Sequence, residues 1–265
     1  MAVNRPRLRP IALPTEHGGW SLILEPIALG LWVAPSWAGL LLGVAAFSLF
    51  LTRHPLQLAY RDTQRGKRHS RTVWAMRFAA GYGTVALVAG LLACIVTDHS
   101  FWQTLILALP LVGVQLYYDL QRRGRELIPE ILGAMALSLV APTIALADNW
   151  SLGAAGALWL VLLARIIGTI LYVRARLRLE RGEQPSPMPT HIAHGVGLAA
   201  VMALVLIGEV QWLAAVAIGV LLLRALYGLS KWRKPAPRAA IIGVQEVVFG
   251  VITVTLVALS YTALR

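Results

Sequence analysis

The sequence predicts an all-α membrane protein of about nine transmembrane helices. Of its 265 residues, 58% are hydrophobic and only 14% charged. Apolar runs recur along the whole chain, and basic residues gather in alternate links between them. A soluble domain of this length cannot bury so much apolar surface. A bilayer core about 30 Å thick, by contrast, asks for roughly 20 apolar residues per helix.

Runs of that kind fall at 17–34, 37–60, 73–96, 100–120, 127–146, 151–174, 191–208, 211–229 and 239–263, so that 1–265 forms a single integral membrane domain. The opening MAVNRPRLRPIALPTEHGGW has neither a continuous apolar core nor a small-residue cleavage site, so the first helix is expected to stay in the membrane. Three Lys or Arg precede it, five lie in 61–72, three in 121–126, four in 174–190 and four in 230–238, nineteen of the twenty-four in the chain. The opposite links, around Pro35, Asp98, Asp148 and Glu209, hold none. Basic residues mark the cytoplasmic side, so the amino terminus is expected inside and the carboxyl terminus outside. The same distribution accounts for the net charge of +12 without a nucleic-acid partner. The lone Cys94 lies in an apolar run and has no intrachain partner for a disulfide.

An internal repeat is visible. Arg53, Gln57 and Tyr60 of RHPLQLAYRD match Arg165, Thr169 and Tyr172 of ARIIGTILYVRAR at an offset of 112. Positions i, i+4 and i+7 share one helix face. LYYDLQRR and LYGLSKWRK set Tyr117 and Tyr227 110 residues apart, and Glu16 and Glu126 precede helices at that same offset. Two parallel four-helix halves, 16–120 and 126–230, plus a ninth helix at 239–263, are expected.

The chemistry should lie where ionisable groups enter the spans, because a charge in lipid costs at least a few kcal/mol and turns toward a cavity or partner. Glu25, Arg53, Arg165, Arg224 and Glu246 do so, all in the cytoplasmic half. Snorkelling of a long stem to the interface accounts for Arg224 and Arg77 but not for Glu25 or Arg165, so a shared polar cavity is expected. Pro26 and Pro55 each deprive a carbonyl four residues earlier, Leu22 and Leu51, of its helical partner, which suits a cavity wall. If Arg53, Arg165, Arg174 and Arg176 all contribute, guanidinium outnumbers carboxylate. An anionic headgroup or diphosphate is then the natural guest. Positive-inside orientation alone also accounts for Arg174 and Arg176. Tyr60, Tyr118 and Tyr172 are hydroxyls within reach of such a guest.

His17, His54, His191 and His194, with Glu16, Glu25, Glu126 and Glu130, invite a metal, but their spacings match no metal motif and no ligand is assigned. Glu126 and Glu130 flank Pro129 in a first helical turn, where acidic residues favour the helix dipole. No nucleophile elbow, phosphate-binding glycine loop or HExxH pattern is present.

PTEHGGWSLILEP, with RHPLQLAYRD and YVRARL, resembles the YwiC-like family of bacterial membrane proteins over essentially the whole chain. The resemblance implies the bacterial cytoplasmic (inner) membrane and little chemistry. More distantly, the architecture is similar to the UbiA superfamily of intramembrane prenyltransferases, which have nine helices, a duplicated bundle and a cytoplasm-side cavity around the second and sixth helices. That resemblance implies magnesium held by aspartate-rich motifs against an isoprenyl diphosphate. Those motifs are absent: the second helix offers Arg53, His54 and Gln57 with only Asp62 acidic, and the sixth offers Arg165, Thr169, Tyr172, Arg174 and Arg176. The expected function is therefore a UbiA-like protein binding an isoprenoid diphosphate or other lipid phosphate, with arginines in place of magnesium. Arg53, His54, Gln57, Tyr60, Arg165, Thr169, Arg174 and Arg176 are its candidate ligands. If the prenyl group is transferred, Glu25 or Tyr172 would steady the developing cation. The alternative is a non-catalytic transporter or lipid-binding membrane protein, in which the same charges form a translocation site.

Overall fold

Long Leu-, Ala- and Val-rich stretches broken only at short polar links give a chain that is helical almost throughout. The structure, a computed structural model, describes residues 8–14, 17–64, 66, 70–235 and 239–262. A single turn, α1 (Arg9–Ala12), precedes α2 (His17–Val33), α3 (Trp37–Gln64), α4 (Ser70–Val96) and α5 (Trp102–Leu120). These are followed by α6 (Leu127–Ser138), α7 (Val140–Ala147), α8 (Leu152–Glu180), α9 (Met188–Leu206), α10 (Trp212–Gly228) and α11 (Ala239–Thr262). Glu16, one of the repeat pair, lies outside the described residues, as does the side chain of His17.

Among the described residues seven helices are long and apolar enough to cross a membrane, counting α6 and α7 together as Leu127–Ala147. Gly18–Val33 and Trp212–Gly228 are shorter apolar helices. The chain is a multi-span membrane protein, and its expected runs coincide with these helices to within a few residues. The largest departures are at α3 and α8, which run on to Gln64 and Glu180. Their last turns are polar, held by Asp62 with Arg71 and by Arg176 with Glu180. A hydropathy run ends where lipid ends, not where the helix does.

Proline acts unequally along the chain. Pro26 and Pro55 sit inside unbroken helices. Pro142 lacks the N–H that would reach Ser138, and the span breaks at Leu139, whose own N–H turns back to Ala136. The Ser138 hydroxyl then takes the Trp159 indole N–H at 2.9 Å, tying the break to α8.

The bundle closes around α8. α9 packs along α8, α10 along α9, α11 lies between α10 and α2, and α7 lies against α2 and α3. Leu29, Ile144, Leu158, Val161, Ile218, Leu221 and Val257 form the core. α4 packs along α3, and α5 rests on α6, so that most of the apolar surface of α4 and α5 faces outward into lipid. Small residues set the closest approaches: an added Cβ at Gly197 would meet Ala164 of α8, and at Gly168 the ring of His194. The ends of α3, α5, α8 and α10 and the starts of α2 and α11 share the basic end of the bundle.

Candidate functional site

Two polar clusters stand out, one inside the spans and one at the basic end. The inner cluster draws on four helices. Arg165 of α8 donates from Nη2 to both Glu25 oxygens of α2, at 2.7 Å to Oε1 and 2.6 Å to Oε2. Arg224 of α10 donates from Nη1 to Glu246 Oε2 of α11 at 2.6 Å. The Arg165 and Arg224 side chains are only 4% and 5% exposed. Gly250, one turn beyond Glu246, makes room for the first pair, since a Cβ there would overlap Glu25 and Arg165. At 1.5 Å per residue Glu25 lies about 12 Å into α2 and Glu246 about 10 Å into α11. These charges are well inside the apolar region.

Arg224 does not snorkel, contrary to the expectation from its place near a helix end. Its guanidinium is buried over the Tyr172 ring, 4.2 Å from the centroid, and near Phe249 at 5.2 Å. Packing of α10 between α9 and α11 holds the stem inside the bundle, and a carboxylate one helix away removes the reason to reach the interface. Tyr172 is buried, its hydroxyl against Gly228. Thr169 is buried with no partner for its hydroxyl, and His194, wholly buried, meets the Thr190 carbonyl through Nδ1 at 2.9 Å.

The second cluster forms where α3 and α5 end. Arg53 grips Asp119 with its two-nitrogen fork, Nε to Oδ2 and Nη2 to Oδ1, both at 2.9 Å. Gln57 adds a bond to Asp119 Oδ2 at 2.7 Å and Gln115 one to Oδ1 at 3.3 Å. Arg53, Gln57 and Tyr60 fall on one face of α3, as their spacing requires, and the first two converge on an acidic residue sequence reasoning passed over. Asp119 was visible in LYYDLQRR, at the end of a span and among basic residues, but nothing local marked it as the partner of a residue 66 positions earlier. Beside it opens a cavity of about 210 Å³ lined by Tyr60, Arg61, Gln64, Asp119, Leu120 and Arg122. Arg122 stands in the left-handed region at φ 63°, where Arg123 N–H reaches back to the Tyr118 carbonyl and ends α5. With Asp119 already neutralised by Arg53, Arg61 and Arg122 leave the cavity positive; neither has a carboxylate partner among the described residues.

The remaining sequence candidates are spread along the basic end. Arg174 pairs with Glu130 at 2.5 Å and bonds the Arg125 carbonyl at 3.1 Å. Arg176, 4% exposed, holds the carbonyls of Gly228 and Lys234, each at 2.5 Å, and so ties the end of α10 to α8. His54 Nε2 meets the Pro10 carbonyl at 3.1 Å and pins α1. The structure therefore brings Arg53, Gln57 and Tyr60 together in one place, and Glu25, Arg165, Thr169 and Tyr172 in another. Each of Arg53, Arg165, Arg174 and Arg176 has acceptors within the protein.

The donor set does not suit the magnesium that the UbiA resemblance implies. Asp62 is buried, its oxygens taken by Arg71 at 2.9 and 2.5 Å and by Thr72 at 2.8 Å. Asp119 and Glu25 are each held by an arginine, which competes directly with a cation. Among the described residues no group of three or more His, Cys, Asp or Glu is placed to hold a metal ion.

Compared with known proteins, residues 13–145 match the family model for the YwiC-like protein. Neither the curated proteins nor the solved structures yield a match.

Proposed function

The chain belongs to the YwiC-like family, and we propose that it binds the phosphate head of a membrane lipid, of which an isoprenoid diphosphate is the leading case, at the basic end of its bundle. The observation that carries this is the positive cavity beside Arg53 and Asp119, with Arg61, Arg122 and Tyr60 on its walls. Its volume holds a headgroup and not a whole lipid, so the tail lies in the bilayer against the apolar surface of α5. Guanidinium offers phosphate oxygens paired donors and needs no metal bridge. In this reading the bundle is UbiA-like, with nine spanning helices, and the basic end faces the cytoplasm of a bacterial inner membrane. Glu25 and Tyr172 stand in the inner cluster, away from the cavity walls, so the geometry supports binding ahead of prenyl transfer.

Binding of geranylgeranyl diphosphate to purified protein, followed by thermal shift with and without magnesium, tests the reading. Wild type should be stabilised equally in both conditions, and Arg61→Ala should weaken binding about tenfold to a hundredfold, the 1.5–3 kcal/mol of one charged hydrogen bond. Absence of any shift, or a shift that needs magnesium, would sink it.

A second reading, a transporter or non-catalytic lipid-binding protein, is favoured by one observation: two arginine–carboxylate couples lie within the spans of α2, α8, α10 and α11. Diphosphate release from the isoprenyl substrate would instead establish transfer.

A further inference from the structure

Among the described residues three arginines present the same edge of the guanidinium to a carboxylate. Arg53 gives Nε and Nη2 to Asp119, Arg71 gives them to Asp62, and Arg123 gives them to Glu126. This edge is the bidentate fork that matches two oxygens on one centre. Arg224 departs from the pattern. It reaches Glu246 through Nη1 alone, while its Nε and Nη2, both buried, have no partner.

An open fork in the interior is costly, because a buried N–H without an acceptor forfeits its hydration. Further groups of the same cluster are in the same condition: Arg165 Nε, the Thr169 hydroxyl and Glu246 Oε1. Thr169 follows Arg165 by one turn on α8, Tyr172 follows Thr169, and Arg224 lies over the Tyr172 ring. The unmet groups are thus mostly donors, on one face of α8 and the adjacent α10, walled by the Tyr172 and Phe249 rings.

We propose that this fork is a binding site for a small planar oxyanion of the carboxylate class, bound by Arg224 Nε and Nη2 with help from the Thr169 hydroxyl. The site is separate from the lipid-phosphate cavity, which uses none of these residues. Charge balance adds a requirement. Arg165 and Arg224 are already matched by Glu25 and Glu246, Arg176 beyond Tyr172 is matched by Glu180, and with Tyr172, His191 and His194 as the remaining titratable groups nearby no unmatched cation offsets an anion in so apolar a place. The anion therefore enters with one proton, taken up on Glu246, whose Oε1 is the unmet acceptor of the cluster. No bond to carbon forms or breaks; one proton moves from solvent to a carboxylate.

Formate is the probe, with chloride at equal concentration as the comparison, on full-length purified protein. Formate should raise the thermal midpoint saturably and chloride should not. Titration calorimetry in buffers of different ionisation enthalpy should show one proton taken up per formate. Arg224→Lys keeps the charge facing Glu246 but lacks the fork, and should lose at least tenfold in affinity. Should that variant fail to fold, Thr169→Val, nearly isosteric, should still weaken formate several-fold. An equal effect of chloride, the absence of proton uptake, or formate affinity unchanged in the foldable variant would overturn the proposal.

Discussion

At the scale of single residues, the inner cluster depends on what is missing at Gly250. A Cβ there would meet Glu25 and Arg165 at distances side chains do not tolerate, whereas one at Gly83 of α4 meets nothing within 4 Å. Gly250→Ala should therefore destabilise the protein by about 1–3 kcal/mol through overpacking, while Gly83→Ala should be neutral or gain up to about 1 kcal/mol of helix propensity. Thermal unfolding in detergent measures both, and equal behaviour of the two variants would show that Glu25 and Arg165 yield freely. The same cluster marks how far residues can be read from sequence. Glu25 and Arg165 were legible because charge inside an apolar run is conspicuous. Their pairing with each other, and that of Arg224 with Glu246, was not, since partners 140 and 22 positions apart are joined only by helix packing. Arg224 was legible as a charge but not as a buried one, because a position near a helix end fits both a snorkelling stem and one enclosed by neighbours.

At the scale of elements, the apolar runs located the helices and left their ends and breaks open. The single run at 127–146 conceals the break at Leu139, which follows from Pro142 and becomes definite only when Ser138 finds Trp159 on α8. The end of α5 is the element that shapes the candidate cavity. It closes with Arg122 in a left-handed conformation, a position glycine usually fills and where another L-residue costs about 1–2 kcal/mol. Strain held at a cavity wall is an argument for a role of the side chain. Arg122→Gly should leave thermal stability unchanged or higher and weaken geranylgeranyl diphosphate binding about tenfold. Loss of stability and binding together would make Arg122 a structural cap and remove it from the site.

At the scale of the whole molecule, the decisive quantity is which way the bundle points. The cavity, the Arg174–Glu130 pair and the Arg176 tie all lie at the end where the basic links gather, so a phosphate-binding role requires that end to face the compartment holding the phosphate. The lipid-phosphate proposal takes that end as cytoplasmic, on the expectation that basic residues near short links resist translocation. Cys94 is exposed and is the single thiol of the chain, so a Cys94→Ala background gives a clean start for labelling. In that background Asp98→Cys, in the link between α4 and α5, should react with a membrane-impermeant maleimide in intact cells. Gln121→Cys, at the other end of α5, should react only after permeabilisation. The reverse pattern would place the cavity outside, where soluble isoprenoid diphosphates are not made by cytoplasmic chemistry, and the lipid-phosphate reading would fail with it. The oxyanion proposal would survive that result, since Arg224 and Glu246 belong to the inner cluster and line no part of the cavity.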